Sequence, residues 1–133
     1  MPVTTSAVDS LTRRLPKVVS PKTHAIVDYL VIGSLFVAGA LYWRRNRRAA
    51  IGALVCGGAG LAVNLATDYP GGIYPLLDFK DHGKIDIGLA AVAATIPEFL
   101  SFSQTPERRF FLIEAGAITA AANLTAFDPI GNH

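Results

Sequence analysis

A single cysteine, Cys56, stands in the chain of 133 residues, so no disulfide can form within it and cysteine-based metal motifs are excluded. Polar stripes are missing as well. A soluble four-helix bundle needs polar residues along its outer faces at a period of about 3.6. Here Ile51 to Leu65 holds no charge, and Gly116 to Leu124 is interrupted only by Thr119 and Asn123. Phosphate-binding glycine loops and nucleophile elbows are absent too, which removes the usual signatures of nucleotide binding and serine hydrolysis. The net charge is only +2 and the arginines gather near predicted helix ends, so nucleic acid is not implied as a partner.

What the chain does hold is apolar surface: 51% of its residues are hydrophobic, high for an ordinary soluble domain of this length. Four stretches approach the roughly 20 residues that cross a bilayer core as a helix, at about Thr23 to Trp43, Ala49 to Ala66, Ile85 to Phe102 and Phe110 to Phe127. The pattern predicts an all-α, integral membrane four-helix bundle, multi-pass, with the lipid bilayer as its solvent. A polar segment, residues 1–20, precedes a four-span domain over 21–133. The leading segment contains Arg13, Arg14 and Lys17 and does not read as a cleavable signal peptide; "VDSLTRRLPKVV" suits a surface helix or a flexible terminus.

The apolar segments repeat. Shifted by 58 positions, Lys22, His24 and Asp28 fall on Lys80, His82 and Asp86, each set opening a helix. Shifted by 59, Asn64, Leu65 and Pro70 fall on Asn123, Leu124 and Pro129, each set closing one. Two tandem hairpins, about 22–70 and 80–129, account for this, and since each crosses twice they run in parallel orientation. The starts of the first and third helices and the ends of the second and fourth then share one face. All three histidines and all seven aspartates belong to that face or its flanks, while Glu98, Glu107 and Glu114 lie toward the other. The turns "WRRNRR" and "SQTPERR" carry arginines, which the positive-inside rule assigns to the cytoplasm, leaving the His/Asp face outward.

Residues four apart share a helix face, so His24 with Asp28, and His82 with Asp86, can converge on one pocket. Asp68 and Asp128 approach it from the other two helices. Imidazole with carboxylate suits a divalent metal such as Zn, Mn or Fe, and helical bundles build such sites from regularly spaced ligands in symmetric halves. His24, Asp28, His82, Asp86, Asp68 and Asp128 are therefore the candidate metal ligands. Metal-activated water acting on a lipid-linked substrate would follow from an open coordination position. Two other readings stand beside this one. Haem could be held between His24 and His82, or each His–Asp pair could satisfy itself and anchor its helix near the headgroups.

Further polar residues have plainer roles. Lys22 and Lys80 suit snorkelling anchors, and Lys84 has Ile26 as its counterpart, so the two halves are not chemically identical. Glu98 suits a surface pair with Arg108 or Arg109, and Glu114 invites the same reading or a buried proton site. Tyr29, Tyr69, Tyr74 and Trp43 read as interfacial belt residues. Abundant small residues allow close helix approach, which also suits a homo-oligomer or a non-catalytic accessory subunit of a larger membrane complex. Finally, "SPKTH" (Ser20 to His24) resembles, over five residues, the Ser-x-x-x-His spacing of the membrane metal-hydrolase superfamily that includes alkaline ceramidases. Members of that superfamily carry seven spans and a late His-x-x-x-His, where this chain has four and His-x-x-x-Asp. The likeness implies that this ligand chemistry can exist at a membrane face.

Overall fold

A computed structural model describes residues 17–126. Within them the chain forms four helices and no strands: α1 (Pro21–Tyr42), α2 (Arg47–Leu65), α3 (Phe79–Phe99) and α4 (Arg108–Leu124). Asp128 and most of the polar leading segment lie outside the described residues.

Local chemistry starts the helices where the sequence suggests. Ser20 accepts a hydrogen bond from the Thr23 amide and is followed by Pro21, whose fixed φ suits a first turn. Asn46 does the same for α2, accepting from the Ala49 amide at 3.2 Å. In α3, Pro97 sits inside the last turn, and Ser101 beyond it turns the chain at φ 60°.

The helices pack in chain order around a ring, with α4 closing on α1, so α1 and α3 face each other across a diagonal. Small residues make this closure possible. A Cβ on Gly39 would lie 2.5 Å from the Leu54 side chain, so glycine there sets the spacing of α1 and α2. The core is correspondingly lined by Ala38, Ala49, Ala53, Cys56, Ala93 and Ala115, and Phe102 and Phe111 fill its end near the arginine turns.

Short backbone bridges fasten the opposite end. The Val19 amide donates to Leu124 O at 2.9 Å and Val19 O accepts from Ala126 N at 3.0 Å. The Leu77 amide donates to Ala66 O at 2.9 Å and Leu77 O accepts from Asp68 N at 2.8 Å. Every atom of the second set stands 58 positions from its counterpart in the first, so the lead into α1 is tied to the end of α4 and the lead into α3 to the end of α2. This geometry changes one reading. The closing segments follow 58 rather than 59, which pairs Thr67 with Thr125 and sets Asn64 against Ala122.

Two of the four helices, α1 and α2, are long and apolar enough to cross a membrane. The third begins with Lys80, Asp81, Lys84 and Asp86 within its first turns, and the fourth is 17 residues long, so neither meets that criterion over its full length.

Candidate metal centre

Across the diagonal, the first turns of α1 and α3 bring four side chains together. His24 Nε2 lies 3.2 Å from Asp28 Oδ1 on its own helix and 3.0 Å from Asp86 Oδ2 opposite. His82 Nε2 lies 3.3 Å from Asp86 Oδ2 on its own helix and 3.1 Å from Asp28 Oδ2 opposite. One ligand atom from each of the four residues falls within a sphere where all lie no more than 4.8 Å apart. Both histidines are fully buried, at 0% exposure.

The other ring nitrogens are held by threonines. His24 Nδ1 contacts Thr125 Oγ1 at 2.6 Å and His82 Nδ1 contacts Thr67 Oγ1 at 2.9 Å. Each hydroxyl has one proton, and each donates it to the carbonyl four residues back, Ala121 O for Thr125 and Val63 O for Thr67. The threonines must therefore accept, so both Nδ1 atoms carry hydrogen. Each Nε2 then faces two carboxylates, His24 Nε2 within hydrogen-bond distance of Asp86 Oδ2 at 3.0 Å, and the positive charge this arrangement favours is supplied by a proton on Nε2 or by a bound cation. His82 Nε2 makes no hydrogen bond, although both carboxylates lie within 3.3 Å of it.

The spacing fits a cation. Ligands about 2.1 Å from a metal are about 3.0 to 3.4 Å apart at octahedral or tetrahedral angles; the N···O separations here, which use both oxygens of Asp28 and Oδ2 of Asp86, run from 3.0 to 3.3 Å, a range that ion pairs share. The outer ring nitrogen of a metal-bound histidine usually donates to a carboxylate, a backbone carbonyl or water; here a threonine hydroxyl takes that place on each ring.

Above the cluster lies the loop between α2 and α3. Tyr69 donates to Asp28 Oδ2 at 2.9 Å and stacks on Phe79 at 5.1 Å between ring centroids, while Phe79 meets the His24 ring edge to face at 5.3 Å. Burial, and then the neighbouring Asp28 carboxylate, push the Tyr69 phenol above its ordinary value. The loop is held down by Tyr29, which donates to Gly71 O at 2.6 Å. Beneath the cluster is a cavity of about 30 Å³ whose walls include Asp28, Asp86, Asn64, Gly60 and Cys56.

His24, Asp28, His82 and Asp86 thus come together as their spacing predicts. Asp68 does not join them: it is exposed, and Thr67, one residue earlier, points to the site instead. Thr67, Thr125, Tyr69 and Phe79 were not legible as site residues. The 58-residue shift carried the signal for the threonines, but the paired asparagines drew the alignment one position off. Tyr69 reads as an interfacial aromatic and serves as a lid. Haem fits poorly, since the two imidazoles pack edge to face at 5.4 Å and turn Nε2 toward the same carboxylates, leaving no plane between them for a porphyrin. Ser20, the first residue of the ceramidase-like pentapeptide, is spent as the α1 cap.

No protein family, characterised protein or solved structure matches this chain.

Proposed function

We propose that this chain is a multi-pass membrane protein, built from two copies of one helical hairpin, that holds a single divalent metal ion between His24, Asp28, His82 and Asp86. The observation that carries the metal is the pair of Nε2 atoms directed at shared carboxylates while threonines with committed protons hold both Nδ1 atoms. Zn, Mn and Fe all accept this ligand set. The recurrence of the ligands, threonines and bridges at one 58-residue offset supports the two-copy reading.

Side-chain size supports the membrane. Many large apolar residues face outward, among them Ile26, Leu30, Val37, Leu41, Val55, Ile113 and Phe99, while the interior is rich in alanine and glycine beside Ile32, Leu35, Ile96, Phe102 and Phe111. Only 28% of the apolar window of α1 and 39% of that of α2 is buried, whereas a core helix of a soluble protein would be mostly covered. On α3 the exposed positions between Lys84 and Glu98 are Ile87, Gly88, Ala91, Val92 and Thr95, and the Thr95 hydroxyl is satisfied by Ala91 O at 2.8 Å. An apolar belt of this kind suits lipid.

Such an ion could activate water for hydrolysis at the membrane face or clip the two hairpins together in a subunit of a larger complex. The stacked Tyr69 and Phe79 over the site favour the clip, because a headgroup substrate would have to displace both rings. Elemental analysis of the detergent-purified protein tests the metal, with the His24→Ala/His82→Ala variant beside it. About one ion per chain, as a single four-ligand site would hold, is expected and should vanish in the variant. A metal-free native protein, with the variant equally stable, would end this reading.

A further inference from the structure

The cavity beneath the cluster is not explained by packing. Two of its walls are the carboxylates of Asp28 and Asp86, a third is Asn64, and the remainder are apolar, including Val31, Leu35 and Ala93. Asn64 is 97% covered, being 3% exposed, and its Nδ2 has no hydrogen-bond partner. A buried amide without a partner is costly, and an apolar side chain of the same shape would avoid that cost. Asn64 is also where the two halves differ, since its counterpart is Ala122. A buried asparagine and two carboxylates lining one space of about 30 Å³ are the setting of a ligand. A site needs about 10–15 Å³ of such space to accept one water, so this cavity holds one or two.

We propose that this cavity is the exchangeable-ligand side of the metal centre, taking water or another molecule of water size between the ion and the Asn64 amide. The inference rests on the metal reading above and narrows it. The four protein ligands approach from the first turns of α1 and α3 and the aromatic pair covers the loop side, so the remaining coordination position faces the bundle interior. Ligand entry is then limited by the cavity. The small volume of this space favours ligands about the size of water. The Asn64 side chain forms the polar wall of the space opposite the carboxylates.

The test uses the full-length protein in detergent loaded with Mn(II), with metal content measured first and the Mn(II) electron paramagnetic resonance spectrum then recorded in ordinary and ¹⁷O-enriched water. Line broadening by ¹⁷O is expected in the native protein. It should be lost in Asn64→Leu, which keeps the side-chain volume, while metal content stays unchanged. Gly60→Ala provides a second variant should Asn64→Leu fail to fold, because its added methyl sits 3.3 Å from Ile32 on the same cavity wall; it should weaken the broadening. A native protein that binds Mn(II) but shows no broadening overturns the inference and spares the metal site. Broadening that persists undiminished in the variants overturns the role of the cavity. A native protein that takes up no metal overturns both readings together, and the metal content alone identifies that outcome.

Discussion

Two threonines hold the imidazoles of the His/Asp cluster in a single protonation pattern. Thr67 and Thr125 each give their proton to a helix carbonyl and take one from an imidazole, so removing either hydroxyl frees the ring to rotate and to change tautomer. Thr67→Val and Thr125→Val should each weaken metal binding by about 10- to 100-fold, the usual effect of losing an outer partner of a metal-bound histidine. Competition against a chromophoric chelator measures this, and unchanged affinity in both variants would remove the threonines from the site. Glycine gives a separate test at this scale. A Cβ on Gly72 would fall 1.8 Å from Thr67 O, whereas Gly88 and Gly116 have open space at that position. Gly72→Ala should therefore destabilise by at least the ~1–3 kcal/mol typical of overpacking, and Gly88→Ala should stabilise by ~0.5–1 kcal/mol through helix propensity. Thermal unfolding in detergent distinguishes the two.

Among the helices, the couplings at the arginine turns are as specific as those at the metal centre. Asn46 caps α2 and also reaches across to the other turn, donating from Nδ2 to Glu107 Oε1 at 2.7 Å and to Thr105 Oγ1 at 3.1 Å. Arg45 adds a contact of 3.3 Å to the other Glu107 oxygen. The Asn46 hydrogen bond, helped by Arg45 and opposed by burial, holds the Glu107 carboxyl below its ordinary value. A carboxyl lowered by folding contributes stability above its unfolded pKa, and that contribution is lost as pH falls through the lowered folded value. Acidification should therefore lower the unfolding temperature of the native protein more than that of Glu107→Gln, compared across the acid range by circular dichroism. Equal pH dependence of the two proteins would show that Glu107 does not link the turns. Asn46→Ala removes both the cap and the cross-link and should cost ~1 kcal/mol or more.

For the whole molecule, the proposed metal and membrane roles meet at the diagonal. Each hairpin packs chiefly within itself, and the cluster is where α1 and α3 meet. An ion bound only by the folded bundle stabilises it by mass action, about 2.7 kcal/mol at a free concentration 100 times Kd. Chelator should lower the unfolding temperature of the native protein and leave that of His24→Ala/His82→Ala unaffected. Membrane residence is checked by alkaline carbonate treatment of cell membranes. Retention in the pellet is expected, and release into the supernatant would redirect the outward apolar faces to a protein partner.

Four helices and their approximate limits were legible from the chain alone because long apolar runs between charged turns leave the backbone few alternatives, and the twofold His-x-x-x-Asp identified the cluster because helical periodicity is strictly local. Other features are not local. Asp68 and Thr67 are neighbours in sequence, yet one faces solvent and the other an imidazole, and beyond the end of α2 helical periodicity no longer distinguishes them. Tyr69 could be assigned to a membrane interface or to a lid with equal justice until the loop was seen folded back over Asp28. Sequence determined which side chains could bind an ion, since that follows from chemistry and spacing along one helix. Only the tertiary structure decided which of them meet, which proton each hydroxyl gives up and which side remains open, because those depend on the closure of the ring of helices across its diagonal.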